Sequence, residues 1–519
     1  MVPRSAGRRT AGRAVLHMLL GPLASARGGE PTGSRPSSPA PRRRDGTTGE
    51  AAERPLPCRA SRCPQGDISP YMADPGIAGS PGRAHWVLIA LLVLATACGY
   101  SWRANHHLPY LQYSNEPASI IMPALMLRRG LEPPSLQRPT LPLYMLAAVD
   151  WTLDRVGRAV GFYGPHDGVR PPQLVDLGIG YAAESPELVV ANRIACASMA
   201  AGSVLLVFLL VFELFKDAWM ALLAALFLSI STELAQSAVI VRPEIFLLFF
   251  SILALLGAAR VYRRGRPADY VLAGLAAGLA VSSKYNAGMI LVALVAAHLL
   301  APRARSAHKW LVVAVVASAV AFFATTPYAL IEPQRFLADV TYELSHYETG
   351  HLGRDASAWH YYLVCLAQSE GVVAGLALIG AIAAVVTRSR PVLMLLAFGV
   401  PYLTFISSLM VRMDRHLVPV LAIVHVCAAF AAMAPLRWAA DAHRAKRSGP
   451  SRAGALAVFL ATALVGLLGV HRTAGWVAEF TGENGRDRAR EWIAANVPRD
   501  SRIATESRAP WVDRDRFHV

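Results

Sequence analysis

The chain has 519 residues, 54% of them hydrophobic and only 17% charged, with a mean hydropathy of +0.37, which excludes an ordinary soluble globular protein. The formal net charge of +16 does not indicate nucleic acid: many Arg and Lys residues sit in short loops between apolar runs, as in cytoplasmic membrane loops, and no basic stretch is interleaved with aromatics. The six cysteines are scattered, with Cys98, Cys196, Cys365 and Cys427 in or beside apolar runs, so neither a disulfide framework nor a zinc site is indicated.

Residues 1–84 are rich in Arg, Pro, Gly and Ser, and fragments such as "GSRPSSPAPRRRDG" cannot bury enough apolar surface to fold alone. They are predicted to be a disordered extension. Cys58 and Cys63 form a lone C-x4-C within it, which is not read as a metal site. "AGRAVLHMLLGPLASARGG" has the outline of a secretory signal, with a basic start, a short apolar core and an A-S-A site. A cleaved signal would place residue 85 outside and invert every later loop against the charge pattern. The extension is therefore read as a cytoplasmic tail, or as lying upstream of a true start at Met72.

An apolar run of about 17–25 residues crosses the hydrocarbon core as a helix. Candidates lie near residues 86–102, 190–213, 218–236, 243–260, 270–283, 285–301, 309–327, 370–388, 391–411, 415–435 and 453–471. "TLPLYMLAAVDWTL", from residue 140, is broken by Asp150 and Asp154 and reads as interfacial, a short membrane span being the other reading. With the N-terminus inside, "RVYRRGRPAD", "PRARSAHKW", "RSRP" and "RWAADAHRAKRSGPSR" all fall on the cytoplasmic face, and the acidic loop from 327 to 369 falls outside. Residues 270–301 read as two short helices meeting at Lys284, because one long helix would place "RAKRSGPSR" outside.

This topology collects Glu116, the "VRPE" turn with Arg242 and Glu244, Lys284, and the "VRMDRH" segment with Arg412 and Arg415 at the outer face. Charges at a helix centre cost roughly 2.5 to 3.5 kcal/mol apiece and less near its ends, so they mark a site or a buried pair. Each has a plainer reading. Glu244 caps a helix N-terminus, Arg412 and Arg415 snorkel at the boundary, and Lys284 fills a polar turn. Two acids and several bases on one face favour a site.

Glu116 with the apolar stretch to Gly130, then the Pro-rich "LEPPSLQRPTLPLYMLAAV", resembles the first external loop of GT-C fold glycosyltransferases, where a D-E pair is followed by Gly and a P-x-L-x-x-Y segment. "RIACASMAAGSVLLVFLLVFELFKDAWMALLAALFLSIS" resembles the next helix pair, and "VRPEIFLLFFSILALL" the second acidic site, commonly R-x-D. "GLAAGLAVSSKYNAGMILV" is similar to the G-L-x-x-G-L-A-x-x-x-K-Y-x-A signature, the most specific of these matches. "RMDRHLVPVLAIV" resembles the late R-x-x-R-Y-L-x-P helix, and "DRAREWIAANVPRDSRIATES" the start of an external C-terminal domain. The matches run from about residue 86 to 508, and the branch is that of protein O-mannosyltransferases, aminoarabinose transferases and RgtA/B/C/D-like enzymes.

The resemblance implies an all-α polytopic membrane protein, a bundle of about 11–13 transmembrane helices over residues 85–472, with external loops. A short α/β tail over 473–519 follows it, outside the membrane and truncated if the family's external domain is larger. It implies transfer of a hexosyl or pentosyl unit from a polyprenyl-phosphate donor to a protein, lipid or glycan acceptor on the external face. Glu116 or Glu244 would take the acceptor's proton. Lys284, Arg412 and Arg415, with Arg242, would hold the departing phosphate. No metal ligands are assigned, and a role for a divalent cation is left open. The family's Asp is Asn115 here, an amide that cannot accept a proton, so Glu116 replaces it, Glu244 matters more, or the enzyme is impaired. Two competing functions remain. A transporter or flippase would show internally repeated halves with paired broken helices, and none is found in the sequence. A catalytically silent relative would bind prenyl-linked sugar without transferring it.

Overall fold

The computed structural model describes residues 80–111, 116–164, 168, 173–174, 181–301, 308–349, 358–444, 452–483, 485–505, 509–510, 512–513 and 515–519. The N-terminal extension with Cys58, Cys63 and Met72 lies outside them, and so does Asn115. Every apolar run named above becomes helix. In chain order, α1 (Arg83–Ser101) leads through β1 (Tyr110–Leu111) to α2 (Glu116–Arg128) and α3 (Thr140–Ala159). Two further short strands, β2 (Gln173–Leu174) and β3 (Tyr181–Ala182), precede α4 (Pro186–Phe215), α5 (Ala218–Ser229), α6 (Thr232–Ala238), α7 (Pro243–Arg263) and α8 (Pro267–Ser283). A 3-10 turn (Tyr285–Met289) opens α9 (Ile290–Leu300), followed by α10 (Lys309–Thr325), α11 (Tyr328–Ile331), α12 (Pro333–Thr349), α13 (Ala358–Glu370), α14 (Val372–Val386) and α15 (Arg390–Ser408). A second 3-10 turn (Asp414–Val420) opens α16 (Leu421–Arg444), and α17 (Arg452–Phe480) and α18 (Gly485–Asn496) close the chain.

Among the described residues six helical stretches are long and apolar enough to span a membrane, and up to eight if the bent pairs α5–α6 and α13–α14 each count as one. The apolar helices after Lys284, over Tyr285–Leu300 and in α10, are shorter than such a span requires. The chain breaks at Lys284, whose φ of −160° and ψ of 126° are extended, leaving α9 only 11 residues long. Such a helix is about 17 Å long against a hydrocarbon core of about 30 Å. The break itself falls where the charge pattern placed it. The α13–α14 pair turns through 118° at Gly371, whose φ of 58° favours glycine. The α5–α6 pair bends by 58°, and there the Ser231 hydroxyl accepts from Leu234 N–H as an N-cap. The span read at 453–471 continues to Phe480 as α17, and α3 runs unbroken through both Asp150 and Asp154.

The core gathers inward faces of most of these helices. α10 (Val312, Val316, Val320), α14 (Leu378, Ile382) and α17 (Leu460, Leu464, Leu467) expose apolar side chains outward, as lipid-facing helices do. β1, β3 and β2 form a small antiparallel sheet in that order, which nothing in the sequence suggested. In the tail, α18 is present, and among the described residues Arg502 and His518 form a β-bridge. The tail docks on the loop after α1: His107 Nδ1 lies 2.8 Å from Asp487 and Nε2 lies 2.9 Å from the Phe480 carbonyl.

The "GLAAGLA" stretch has a packing explanation. α8 lies against both α7 and α10, and a Cβ on Gly274 or Gly278 would strike the Ala314 or Ser318 carbonyl of α10. Small residues four apart let membrane helices approach backbone to backbone. This fixes α8, and with it Lys284 at its end. Gly278→Leu should push α8 off α10 and lower the thermal unfolding temperature in detergent by several degrees. An unchanged unfolding temperature would remove this contact from the account.

Candidate active site

Two charged centres form, joined by one turn. In the first, Arg193 of α4 meets Glu116 at the start of α2. Arg193 Nε donates to Glu116 Oε1 at 2.7 Å and Nη2 to Oε2 at 2.9 Å. Its Nη1 donates to the carbonyls of Ala104 and His106 at 2.9 and 2.8 Å. Val241 N–H adds a bond to Glu116 Oε1 at 3.1 Å. The side chains are 0% and 2% exposed for Glu116 and Arg193. Burial pushes the Glu116 carboxyl upward, but the charge and hydrogen bonds of Arg193 outweigh it and hold it below the ordinary carboxylate range. Both oxygens are thus committed, and the carboxylate ties α2, α4 and the turn before α7 together.

Arg193 is absent from the sequence-derived set, though its signal is plain: "ANRIACAS" puts Asn and Arg inside an apolar run, where a charge needs a partner. Its neighbour Asn192 is also used. Asn192 Nδ2 donates to Asp150 Oδ1 of α3 at 2.7 Å, while Asp150 Oδ2 and Asn192 Oδ1 are buried without partners among the described residues. A proton on Asp150 would let each side chain satisfy the other. Burial accordingly raises the Asp150 carboxyl to about 7, the Asn192 bond only partly opposing it. An acid with a raised folded pKa stabilises most below its unfolded value, and that stability is lost as pH rises through about 7. Asp150→Asn should flatten this dependence, read as unfolding temperature between pH 4 and 8. A dependence equal to that of the unsubstituted protein would refute the assignment.

The second centre surrounds Glu244, in the first turn of α7 after Arg242 and Pro243. Glu244 Oε1 lies 3.2 Å from Lys284 Nζ and 3.3 Å from Arg415 Nε, and its side chain is 5% exposed. Arg242 adds a third positive charge acting on the same carboxylate. Three elements therefore converge: the start of α7, the break after α8 and the 3-10 turn before α16. Arg415 N–H donates to Asp414 Oδ1 at 2.8 Å, and Arg412, also in this segment, is buried at 7% exposure. The bland capping reading of Glu244 is compatible with its place but does not account for the cations. Val241 links the centres, because its N–H holds Glu116 three residues before Glu244 begins its own contacts.

Residues outside the sequence-derived set complete the surroundings. Arg138, just before α3, feels the charges of Glu244, Arg415, Glu343 and Tyr347, the last two from α12. Met410 N–H donates to the Tyr347 carbonyl at 3.0 Å, and Tyr362 of α13 meets His416 Nδ1 at 3.0 Å. Glu233 of α6 is buried and feels the charges of Asp414, Arg242, Glu370 and Glu244. Among the described residues no group of three His, Cys, Asp or Glu side chains gathers to hold a metal; convergent cations around one acid suit an anion instead. At the opposite helix ends Glu213 pairs with Lys216 and Arg264, each at 2.9 Å, and Asp217 with Arg437, also at 2.9 Å.

Comparison with known proteins decides the fold. The chain superposes on ArnT from Cupriavidus metallidurans bound to undecaprenyl phosphate with a TM-score of 0.55 at 16% identity, over 82% of this chain and 84% of that one. This is the GT-C glycosyltransferase fold. The same GT-C architecture relates it to the Archaeoglobus fulgidus oligosaccharyltransferase tethered to an acceptor peptide, with a TM-score of 0.51 at 14% identity over 80% of this chain. The chain spans only 57% of that protein's length. AglB from the same organism, in complex with an inhibitory peptide and a dolichol-phosphate, gives 0.53 at 15% identity, covering 80% of this chain and 58% of AglB. The dolichyl-phosphate-mannose-protein mannosyltransferase family profile matches residues 187–328, which include Arg193, Glu244 and Lys284. No curated protein matches the whole chain or a part of it.

Proposed function

We propose that the protein transfers one hexosyl or pentosyl unit from a polyprenyl-phosphate donor to a protein, lipid or glycan acceptor at the external face. The observation that carries this is the convergence of Lys284, Arg415 and Arg242 on the single carboxylate of Glu244. A phosphodiester entering from the bilayer competes for those cations. As Lys284 and Arg415 turn to its oxygens, Glu244 is released beside the anomeric carbon. Glu244 then takes the acceptor's hydroxyl proton, the acceptor oxygen bonds to the anomeric carbon, and the bond from that carbon to the phosphate oxygen breaks with its electron pair on the phosphate. The cations stabilise the charge that grows there. Glu116, with both oxygens committed to Arg193 and Val241, is assigned the positioning of this turn rather than proton transfer.

The neighbours support the donor class: one is bound to undecaprenyl phosphate and another to a dolichol-phosphate. The end carrying Glu244 is proposed to face outside and the end carrying Lys216 and Arg264 the cytoplasm, following the positive-inside rule. Cysteine labelling checks this, with residues 345–349 expected to react from outside and residues 437–444 from inside. A second reading, binding without transfer, is favoured by the locked state of Glu116 together with Asn115. The deciding experiment uses the reconstituted full chain with a panel of undecaprenyl-phosphoryl sugars and measures release of undecaprenyl phosphate. Release that disappears in Lys284→Ala supports transfer; binding without release in the unsubstituted protein supports the second reading.

A further inference from the structure

We propose that His107, as its imidazolium, is a positioning residue for the transfer site, clamping the tail to the turn whose carbonyls hold Arg193. The proposal rests on the transfer reading above and makes that reaction depend on a docked tail. His107 Nδ1 lies 2.8 Å from Asp487 Oδ2 of α18, and Nε2 lies 2.9 Å from the carbonyl oxygen of Phe480 at the end of α17. The His107 side chain is 2% exposed. A carbonyl oxygen and an ionised carboxylate can only accept, so each ring nitrogen must carry a hydrogen to bond them. A neutral ring carries one, and only the imidazolium completes both bonds. Asp487 is paired in turn with Arg490 at 3.2 Å, and the Arg490 guanidinium lies 4.8 Å from the centre of the Tyr110 ring of β1. Phe480 stacks on Trp476 at 4.7 Å.

The same turn carries the bonds of the first charged centre. Arg103 and His107 bracket it with left-handed φ of 55° and 57°, conformations that non-glycine residues keep only where their surroundings impose them. Between them, the carbonyls of Ala104 and His106 accept from Arg193 Nη1. Arg193 holds both oxygens of Glu116, and Glu116 Oε1 accepts from Val241 N–H, three residues before Glu244. A contiguous run of bonds thus leads from α18 to the turn that carries the proposed base. Charged and titratable groups beside His107 include Asp487 and Arg490 from α18 and His106 from its own turn, the two imidazole centres being 5.1 Å apart. Arg193 of α4 and Glu116 of α2 act on His106. Burial and the Arg193 charge lower His106 to about 4, so His106 keeps its neutral form as the pH is raised from about 5.

The test uses the reconstituted full chain and measures both binding of undecaprenyl phosphate and its release from the undecaprenyl-phosphoryl sugars. The unsubstituted protein, Asp487→Asn and His107→Gln are compared between about pH 5 and 8, where imidazoles titrate. Release should fall about 10- to 100-fold in either variant, the cost of displacing a site by about 1 Å. Binding should stay within a few-fold, because Lys284 and Arg415 are untouched. In the unsubstituted protein release should decline as the pH rises and the imidazolium is lost, and His107→Gln should lack that decline. Unchanged release in both variants overturns this proposal alone. Binding that falls in step with release does so too, since it marks a structural contact only. An unsubstituted protein without the alkaline decline, or a decline that persists in His107→Gln, also overturns it. An unsubstituted protein that releases no undecaprenyl phosphate from any donor overturns the transfer reading and this proposal with it. Should the variants fail to fold, amide hydrogen exchange of α18 in the unsubstituted protein, corrected for its intrinsic rate, replaces them. Protection lost with rising pH is expected, and unchanging protection overturns the clamp.

Discussion

Arg193→Leu should lower the unfolding free energy by about 3–5 kcal/mol, the usual cost of stranding one member of a buried ion pair. The loss would be read as a fall in unfolding temperature of the detergent-solubilised protein. Glu116, 0% exposed in the unsubstituted protein, would keep only the Val241 N–H, and the two backbone ties of Arg193 to Ala104 and His106 would be lost. Glu116→Gln should cost less than Arg193→Leu, because the amide oxygen still accepts from Arg193. The double variant Glu116→Leu with Arg193→Leu should recover part of the loss, since removing both charges removes the desolvation penalty. The native pair also sets a pH window. A carboxyl held below its unfolded value stabilises above that value, and the contribution is lost only as pH falls through the folded one. Single variants as stable as the unsubstituted protein would contradict this tie.

Glu244→Gln should reduce turnover by about 10²- to 10⁴-fold, the usual contribution of a general base, while undecaprenyl phosphate binding stays within a few-fold. Glutamine preserves the shape and loses the proton acceptor. Lys284 and Arg415, no longer held by a carboxylate, would be free for the phosphate, so tighter donor binding with less transfer is the signature. Asn115→Asp separates the two histories of the site. A large gain in transfer would mean that an acid at that position still completes the machinery, whereas little change would leave proton transfer with Glu244. Full turnover in both Glu244→Gln and Glu116→Gln would remove carboxylate base chemistry altogether.

Much of the architecture was legible because lipid imposes a simple rule: long apolar runs become helices. The break at Lys284 could be placed from loop charge alone, and Glu244, Lys284 and Arg415 could be grouped because each ends a run on the same side. What escaped has a common cause. Arg193 lies within a run, Arg138 precedes α3 by two residues, and His416 looks like a core histidine. Their partners are 77 residues away for Arg193 and 54 for His416, so no local pattern announces them. The pairing of Glu116 with Arg193 was hidden for the same reason. The two-residue strands are too short to carry any alternation.

The close seating of α8 on α10 divides the tolerance of the anion site unequally. Lys284 stands at the end of a helix with no slack, since Gly274 and Gly278 already lie against carbonyl groups. Arg415 belongs to a short 3-10 segment reached through Met410, which is held to α12 by a backbone bond to Tyr347. Lys284 is thus held through the glycine contacts of α8 with the α10 backbone, and Arg415 through the bonds of Met410 and Val411 to Tyr347. Under the proposed transfer reading, a larger residue at Gly274 or Gly278 should disturb the Lys284 side of the site and leave the Arg415 side in place.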